Sequence, residues 1–290
     1  MRFEGKRAVV TGGASGIGKA TAERLAAEGA TVWIGDFNDE TGRAVADASG
    51  GRIRFRHTDV TKPEEIEALV HAPDAEGGID LLFNNAGSGG GRSRIDEMPA
   101  DEWDYVQALL LRSVAMGIRH AAPIMAGKGG GAIVNTASIA GVQSGAAPIG
   151  YSVAKAGVIH LTRLAAAEVS KDGIRINAVC PGLILTGIFT ANPALTPEMR
   201  QAINAGLADR AAHTQPVRKP GMPEDVAAVV CFLLSDDARF VTGEHVMVDG
   251  GMFIGPRHSW DPDAAGLFAQ TMQGATPGTV TPVPLPSVAR

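Results

Sequence analysis

Tyr151 and Lys155 are the pair of residues whose types and spacing point most directly to chemistry. They are four positions apart, so on a helix they share one face. A free phenol has a pKa of about 10 and is a poor base at neutral pH, but a neighbouring ammonium stabilises the phenolate and lowers that pKa. The pair predicts a tyrosine that exchanges a proton with the hydroxyl of a bound substrate.

Ser138 is the third candidate catalytic residue. It lies thirteen residues before Tyr151 and follows a short apolar run at 132–135. A serine hydroxyl at the end of a strand can hydrogen-bond the same substrate oxygen and stabilise the charge that develops on it. We therefore predict that Ser138, Tyr151 and Lys155 act on one substrate oxygen.

A glycine-rich segment at 11–18 lies between a predicted strand and a predicted helix. Glycine permits a tight turn and lets backbone N–H groups approach a pyrophosphate, which then sits at the positive end of the helix. The segment predicts a dinucleotide phosphate site. Its candidate binding residues are Gly12, Ser15, Gly16, Ile17 and Gly18.

Asp36 ends the second predicted strand, about 20 residues after the glycines, where dinucleotide-binding folds place a carboxylate. Such a carboxylate accepts hydrogen bonds from the adenosine ribose hydroxyls and repels a 2′-phosphate. Phe37 follows Asp36 and is also a candidate cofactor contact. Neither Phe37 nor Ser15 offers a positive charge to a phosphate. The residues favour NAD, and an NADP-dependent carbonyl reductase is the alternative.

The elements that must position these residues alternate along the chain. Short apolar runs predict strands at 8–11, 31–35, 52–56, 81–83, 132–135, 174–179 and 245–248. Amphipathic stretches predict helices at 17–28, 40–48, 63–71, 101–126, 152–170 and 223–235. This alternation is typical of an α/β fold with a parallel sheet covered by helices on both faces. The polar face of the third strand places it near an edge.

Four motifs occur in an order that resembles the classical short-chain dehydrogenases/reductases over about residues 5–252. The TGxxxGxG pattern is present at Thr11, Gly12, Gly16 and Gly18, and NNAG at Asn84, Asn85, Ala86 and Gly87. YxxxK is present at Tyr151 and Lys155, and PGxxxT at Pro181, Gly182 and Thr186. The resemblance implies a Rossmann-like, doubly wound, seven-stranded parallel sheet in one domain. It also implies an NAD-dependent oxidoreductase that interconverts a secondary alcohol and a ketone.

The same resemblance assigns further cofactor contacts. Asp59 and Val60 would border the adenine, and Asn85, Ala86 and Gly87 would line its ribose. Pro181, Gly182, Ile184 and Thr186 would hold the nicotinamide, and Tyr151 and Lys155 would contact the cofactor as well, Lys155 at the nicotinamide ribose. A homotetramer or homodimer would be built on the helices at 101–126 and 152–170.

One family residue is missing from the sequence. Many members carry an asparagine in the fourth predicted helix that helps to hold a water next to the lysine. The matching position here is Leu110, or Leu111 if the alignment shifts by one residue. The absence leaves the proton relay open, and a dinucleotide-binding protein without catalysis is a further alternative.

Composition excludes several classes of protein. The net charge is −5 without a basic block, which argues against nucleic-acid and membrane-surface partners. No signal peptide or apolar span is evident, so we expect a cytoplasmic protein. Cys180 and Cys231 are predicted to be buried thiols, and Trp33 a core residue. No metal site is predicted, because the histidines are scattered at His57, His71, His120, His160, His213, His245 and His258.

Two segments stand apart from the alternating pattern. Residues 187–222 carry a weak helical pattern around 197–209, and we expect them to form a substrate lid within a catalytic domain at 1–252. The abundance of Leu, Ile, Phe and Ala in this segment favours an apolar or cyclic alcohol or ketone as substrate. Residues 253–290 form a C-terminal extension, with a short helix predicted at 266–273 and the part before 276 packed on the lid or on a neighbouring subunit.

Overall fold

A computed structural model describes residues 1–91, 93–190 and 194–266, with the backbone alone described at position 212. Seven strands form one parallel sheet in the order β3-β2-β1-β4-β5-β6-β7. The strands are β1 Arg7–Thr11, β2 Thr31–Asp36, β3 Ile53–His57, β4 Leu81–Asn84, β5 Gly131–Thr136, β6 Ile174–Pro181 and β7 His245–Val248. The predicted doubly wound α/β fold is confirmed, and β3 lies at an edge.

Eight α-helices occur in the described part of the chain. They are α1 Gly16–Ala27, α2 Asp39–Ala48, α3 Pro63–Val70, α4 Ala100–Gln107, α5 Ser113–Gly127, α6 Ile149–Val169, α7 Pro197–Thr214 and α8 Pro223–Leu234. Short 3₁₀ turns lie at Asp74–Glu76, Ile139–Gly141, Ser170–Asp172, Gly187–Thr190, Asp236–Ala238 and Arg257–Ser259. Over the described residues, no helix combines the length and the apolar character needed to cross a bilayer.

The sheet separates two hydrophobic layers. One face packs against α3, α5 and α6 around Ile66, Leu82 and Val158, and the other packs against α1 and α8 around Leu25, Phe83 and Val230. Adjacent residues of β4, Leu82 and Phe83, therefore point into different layers, as the twofold alternation of a strand requires. Trp33 belongs to the first layer, as predicted.

The strand order reverses between β1 and β4. Both neighbours of β1 run parallel to it, with Val10 paired to Ile34 of β2 and to Phe83 of β4. The connections after β1 and after β4 leave in opposite directions along the sheet, so a crevice opens outside their carboxyl ends. The candidate cofactor and catalytic residues lie at or after the carboxyl ends of these two strands and of β2, β3, β5 and β6.

The prediction of a single uninterrupted helix over 101–126 is wrong in one respect. The stretch Ala108–Arg112, between α4 and α5, is a π-helix. A π turn carries one extra residue and shifts the side chains that follow it around the helix axis. Sequence periodicity did not reveal it, because apolar Leu109, Leu110 and Leu111 suit either helical period.

The segment after β6 is more helical than predicted. Helix α7 runs to Thr214, beyond the expected end near 209.

Beyond β7, Asp261 accepts a hydrogen bond from Arg257 at 2.7 Å and forms an ion pair with Arg218 at 3.5 Å. The start of the extension thus packs on the residues that follow α7. The predicted helix at 266–273 lies outside the described residues after position 266.

Candidate active site

The turn between β1 and α1 is shaped by glycines that no other residue could replace. Gly12 has φ +65°, and a Cβ added there would lie 2.8 Å from the Cα of Ala86. A Cβ at Gly18 would lie 2.1 Å from the carbonyl oxygen of Gly12. These contacts are too close for any side chain, and they leave an open cradle of backbone at the start of α1. The cradle fits a pyrophosphate in both shape and polarity.

Thr11 and Asn85 join the ends of β1 and β4 under this cradle. Oγ1 of Thr11 accepts hydrogen bonds from the backbone N–H groups of Asn85 at 2.9 Å and Ala86 at 3.0 Å. The side-chain amide of Asn85 donates to the carbonyl oxygens of Thr11 and Gly12. The amide of Asn85 therefore holds the backbone of the phosphate turn in place through these carbonyl groups. Thr11 was not among the predicted site residues, although it begins the glycine motif.

Asp36 lies at the end of β2 and is largely buried. Its Oδ2 accepts a hydrogen bond from the backbone N–H of Ala14 at 3.1 Å, and its Oδ1 accepts one from Asn38 at 3.1 Å. Because each carboxylate oxygen can accept two hydrogen bonds, the group can still receive ribose hydroxyls. Asp36 thus both braces the phosphate turn and presents a negative charge beside it.

The remaining predicted cofactor contacts lie around the same crevice. Thr186 reaches the phosphate turn, since a Cβ added at Gly16 would lie 3.3 Å from its Cγ2. Val60 is buried, whereas Oδ1 of Asp59 already accepts hydrogen bonds from the backbone and hydroxyl of Thr61. The residues of this group differ in exposure: Ser15, Phe37 and Gly87 are exposed, Ile17, Ala86 and Gly182 are intermediate, and Pro181 and Ile184 are buried.

Ser138, Tyr151 and Lys155 converge beyond the end of β5. Ser138 precedes the turn Ile139–Gly141, and Tyr151 and Lys155 lie on one face of α6. The hydroxyl of Tyr151 lies close enough to the Ser138 side chain to interact with it, and Nζ of Lys155 lies 5.7 Å from the centre of the tyrosine ring. Nζ also donates to the carbonyl oxygen of Thr136 at 2.6 Å. This bond uses one of the three donors of the ammonium.

Burial dominates the electrostatics of this group. It raises the pKa of Tyr151 above its ordinary value, and the hydrogen bond with Ser138 opposes that rise. The expected lowering of the phenol pKa by the ammonium is therefore not what this structure shows. Burial also lowers the pKa of Lys155 to about 8. Removing water from a charged group disfavours the charged form, which explains both directions.

Leu110 and Leu111 are the two residues that could match the missing asparagine. Leu110 is fully buried in the π-helix, and a Cβ added at Gly87 would lie 3.0 Å from its Cδ2 and 4.0 Å from Nζ of Lys155. Leu111 points elsewhere, since a Cβ added at Gly157 would lie 2.9 Å from its Cδ2. Of these two leucines, Leu110 is therefore the one that lies on the side of Gly87 and Lys155.

Replacing Leu110 with asparagine is expected to leave kcat unchanged or to reduce it. The substitution places an amide in an apolar cluster with Val106 and Ala154, and an unpartnered buried amide costs about 1–3 kcal/mol. We expect the free energy of unfolding to fall by that amount in urea titrations. Leu110→Met, which conserves volume, is the control. A large gain in kcat would show instead that the natural relay is incomplete.

Neither of the two cysteines is in an environment that would make its thiol reactive. Both are buried free thiols. Burial raises the pKa of Cys180 to about 11 and that of Cys231 to about 12. Because the thiolate is the reactive form, both side chains behave as packing residues, as predicted.

Comparison with known proteins agrees with this geometry. The family model described as "Enoyl-(Acyl carrier protein) reductase" matches residues 12–253. A cyclohexanol dehydrogenase of Acinetobacter sp. (strain SE19) is 41% identical over 253 residues, which is 86% of this chain and 95% of that protein. The chain belongs to the short-chain dehydrogenase/reductase family. Its members bind a nicotinamide dinucleotide, and the protein is an oxidoreductase.

Solved structures of the family show the same fold. The crystal structure of levodione reductase has a TM-score of 0.79 and 37% identity, covering 88% of this chain and 100% of that one. A 7α-hydroxysteroid dehydrogenase complexed with NADH and 7-oxo glycochenodeoxycholic acid has a TM-score of 0.76 and 33% identity, covering 86% and 95%. The second of these relatives binds its dinucleotide in the reduced form.

Proposed function

We propose that this protein is an NAD-dependent oxidoreductase that interconverts a secondary alcohol and a ketone, with Tyr151 as general acid and base. The observation that carries the proposal is the contact of Tyr151 with Ser138 and Lys155 at the crevice that holds the glycine cradle. Three side chains that can act on one substrate oxygen lie at this edge of the sheet. A backbone turn that fits a dinucleotide lies at the same edge.

The chain's own residues divide the work of proton transfer. A bound nicotinamide would supply the acceptor for the hydride that leaves the carbon bearing the hydroxyl. Tyr151 takes the hydroxyl proton in oxidation and returns it in reduction. Ser138 donates a hydrogen bond to the same oxygen and stabilises its developing charge. Lys155 keeps a positive charge near the phenolate, and its remaining N–H donors are available to the nicotinamide ribose.

The cofactor contacts follow from the crevice. Backbone N–H groups at the start of α1 would hold the pyrophosphate, Thr186 next to this turn would help to hold the nicotinamide, and Asp36 would receive the adenosine ribose hydroxyls. The Asp36 carboxylate accepts hydrogen bonds from two backbone N–H groups, and among the described residues no cationic side chain pairs with it. A 2′-phosphate placed there would meet an uncompensated negative charge. This arrangement favours NAD over NADP.

Replacing Asp36 with asparagine is expected to reduce the preference for NAD about tenfold or more. The amide keeps the shape of the side chain and removes the charge that repels a 2′-phosphate, which is a difference of at least about 1.4 kcal/mol. The measurement is kcat/KM with NAD and with NADP for both proteins. Asp47→Asn, on the exposed side of α2, is the control. A wild-type preference for NADP would refute the assignment.

Apolar cyclic alcohols and ketones are the proposed substrate class. Two of the relatives described above act, by their names, on a cyclic alcohol and on a dione. Beside the crevice, Ile188 and Phe189 expose apolar surface on the segment that precedes α7. Segment 187–222 would close over such a substrate.

We further propose a homotetramer or homodimer, which fits the exposed apolar side chains of Val153 and Leu164 on α6. The cytoplasm remains the proposed compartment.

A panel assay tests the proposal directly. The purified protein is mixed with NAD and secondary alcohols that range from open-chain to monocyclic and polycyclic, and formation of the reduced cofactor is followed by absorbance. We expect turnover with cyclic alcohols, and the reverse reaction with the matching ketones. Cofactor binding without turnover on any member of the panel would favour the non-catalytic alternative, for which the buried Leu110 is the supporting observation.

A further inference from the structure

A cluster of two histidines and a glutamate lies between α3 and α5. Glu67 is on α3, His71 follows its last residue, and His120 is on α5. One ligand-capable atom of each residue lies within 4.8 Å of the corresponding atoms of the other two. Over residues 1–91, 93–190 and 194–266, no other set of three histidine, cysteine or acidic side chains is grouped in this way.

The distances leave room for an ion between these side chains. Nδ1 of His120 lies 3.9 Å from a carboxylate oxygen of Glu67, which is too far for a hydrogen bond. The ring centres of His71 and His120 are 6.4 Å apart, and the planes meet at 69°. Zinc takes nitrogen and oxygen ligands at about 2.0–2.2 Å, so ligands on one ion lie somewhat closer together than here. The Glu67 side chain is 56% exposed and can rotate inward.

Asp74 supplies a second, independent feature of a metal site. Its carboxylate lies 2.7 Å from Nδ1 of His71, so Nδ1 carries the proton and the Nε2 lone pair is left for a ligand. Histidines that bind metals almost always donate their other N–H to such a partner, which orients the ring and raises its basicity. Asp74 thus holds His71 in the tautomer that a metal requires.

His120 is the least exposed member of the cluster. Its side chain is only 14% exposed, and its Nδ1 faces a carboxylate oxygen of Glu67 across 3.9 Å. A ring nitrogen of His120 is thus turned toward the space between the three side chains.

We propose that Glu67, His71 and His120 bind a divalent ion of the zinc type and that this ion links α3 to α5. Two imidazoles and one carboxylate suit zinc and its neighbours in the first transition row, whereas magnesium and calcium prefer oxygen ligands. His120 lies ten residues beyond Leu110, roughly 15 Å along the helical stretch at 1.5 Å per residue. The ion is thus separate from the catalytic residues and acts on stability.

From the sequence we expected no metal site, because the histidines are scattered along the chain. The proposed site differs from that expectation. His120 lies 49 positions after His71 in the chain, so their spacing carries no motif. The pair is brought together only because α3 and α5 pack side by side on one face of the sheet.

Zinc titration of the full-length protein, without an affinity tag and after chelator treatment, tests the site. We expect one Zn²⁺ per chain by calorimetry and a rise in melting temperature with added Zn²⁺. His71→Ala and Glu67→Gln should each weaken binding about 100-fold or more, and Asp74→Asn about 10-fold. His57→Ala is the matched control, because His57 contacts Asp39 at the same 2.7 Å but belongs to no such cluster.

The variants are chosen so that folding does not obscure the result. Glu67 and His71 are exposed, so their replacement should leave the apo melting temperature and the activity unchanged. His120→Gln serves for the less exposed ligand. A wild-type protein that binds no Zn²⁺ at one equivalent would overturn the proposal. So would Zn²⁺ binding that is equally tight in the wild type, His71→Ala and Glu67→Gln.

Discussion

Replacing Tyr151 with phenylalanine is expected to lower kcat by about 10³-fold, within the range of 10²–10⁴ that a general acid or base contributes. The substitution removes the hydroxyl that interacts with Ser138 and keeps the ring that packs against the cluster of Val106, Leu110 and Ala154. We therefore expect the dissociation constant of the cofactor and the melting temperature to change little. Steady-state kinetics and a cofactor titration give the two readouts.

The chain itself supplies the control for this experiment. It contains two tyrosines, and the other, Tyr105, is 58% exposed on α4. Tyr105→Phe should retain wild-type kcat and cofactor affinity. If Tyr151→Phe kept its turnover, the proton transfer would have to be assigned to another group. If it lost cofactor binding as well, Tyr151 would act chiefly in binding.

Replacing Lys155 with methionine is expected to remove turnover, to weaken cofactor binding and to change how stability depends on pH. Methionine keeps an unbranched stem and lacks the ammonium. The charge beside Tyr151 and the donor for the cofactor ribose are lost together, so kcat falls and the cofactor dissociation constant rises. We expect about a tenfold loss for the ribose hydrogen bond, in line with 1.4 kcal/mol for a bond to a charged group.

The pH dependence follows from the pKa of Lys155, which burial lowers to about 8 from an ordinary value of 10.5. Between these two values the unfolded chain binds more protons than the folded one, so the free energy of unfolding rises with pH. The buried ammonium therefore costs stability fully below pH 8, and the cost disappears as the pH approaches 10.5. Relative to Lys155→Met, the wild type should gain about 2–3 kcal/mol between pH 7 and pH 10.

Urea unfolding of the cofactor-free protein at both pH values measures this difference. Comparing the two pH values cancels the constant cost of leaving the carbonyl of Thr136 without its donor in the variant. Lys19→Met replaces a half-exposed lysine that pairs with Glu23 on α1, and this variant should show no such change. A wild type and a Lys155→Met variant with the same pH dependence would mean that Lys155 is not destabilised in its charged form.

Prediction from sequence succeeded where the information is local. The strands were recognisable because runs such as 8–11 and 81–83 are apolar on both faces, as the interior strands of a parallel sheet must be. The glycines of the phosphate turn stand at fixed positions between one strand and one helix. Tyr151 and Lys155 are four residues apart, so a helix alone places them on one face.

The sequence by itself therefore determined the fold class, the dinucleotide turn with Asp36 beside it, and the catalytic candidates, since each depends on neighbours within a few residues or on a repeated strand–helix unit. Only the tertiary structure decided that Leu110, and not Leu111, faces Gly87, that the amide of Asn85 holds the phosphate turn, and that burial raises the pKa of Tyr151. The same holds for the cluster of Glu67, His71 and His120. Each of these outcomes depends on which side chains from distant parts of the chain pack together, and packing is set by the assembled layers and not by spacing along the chain.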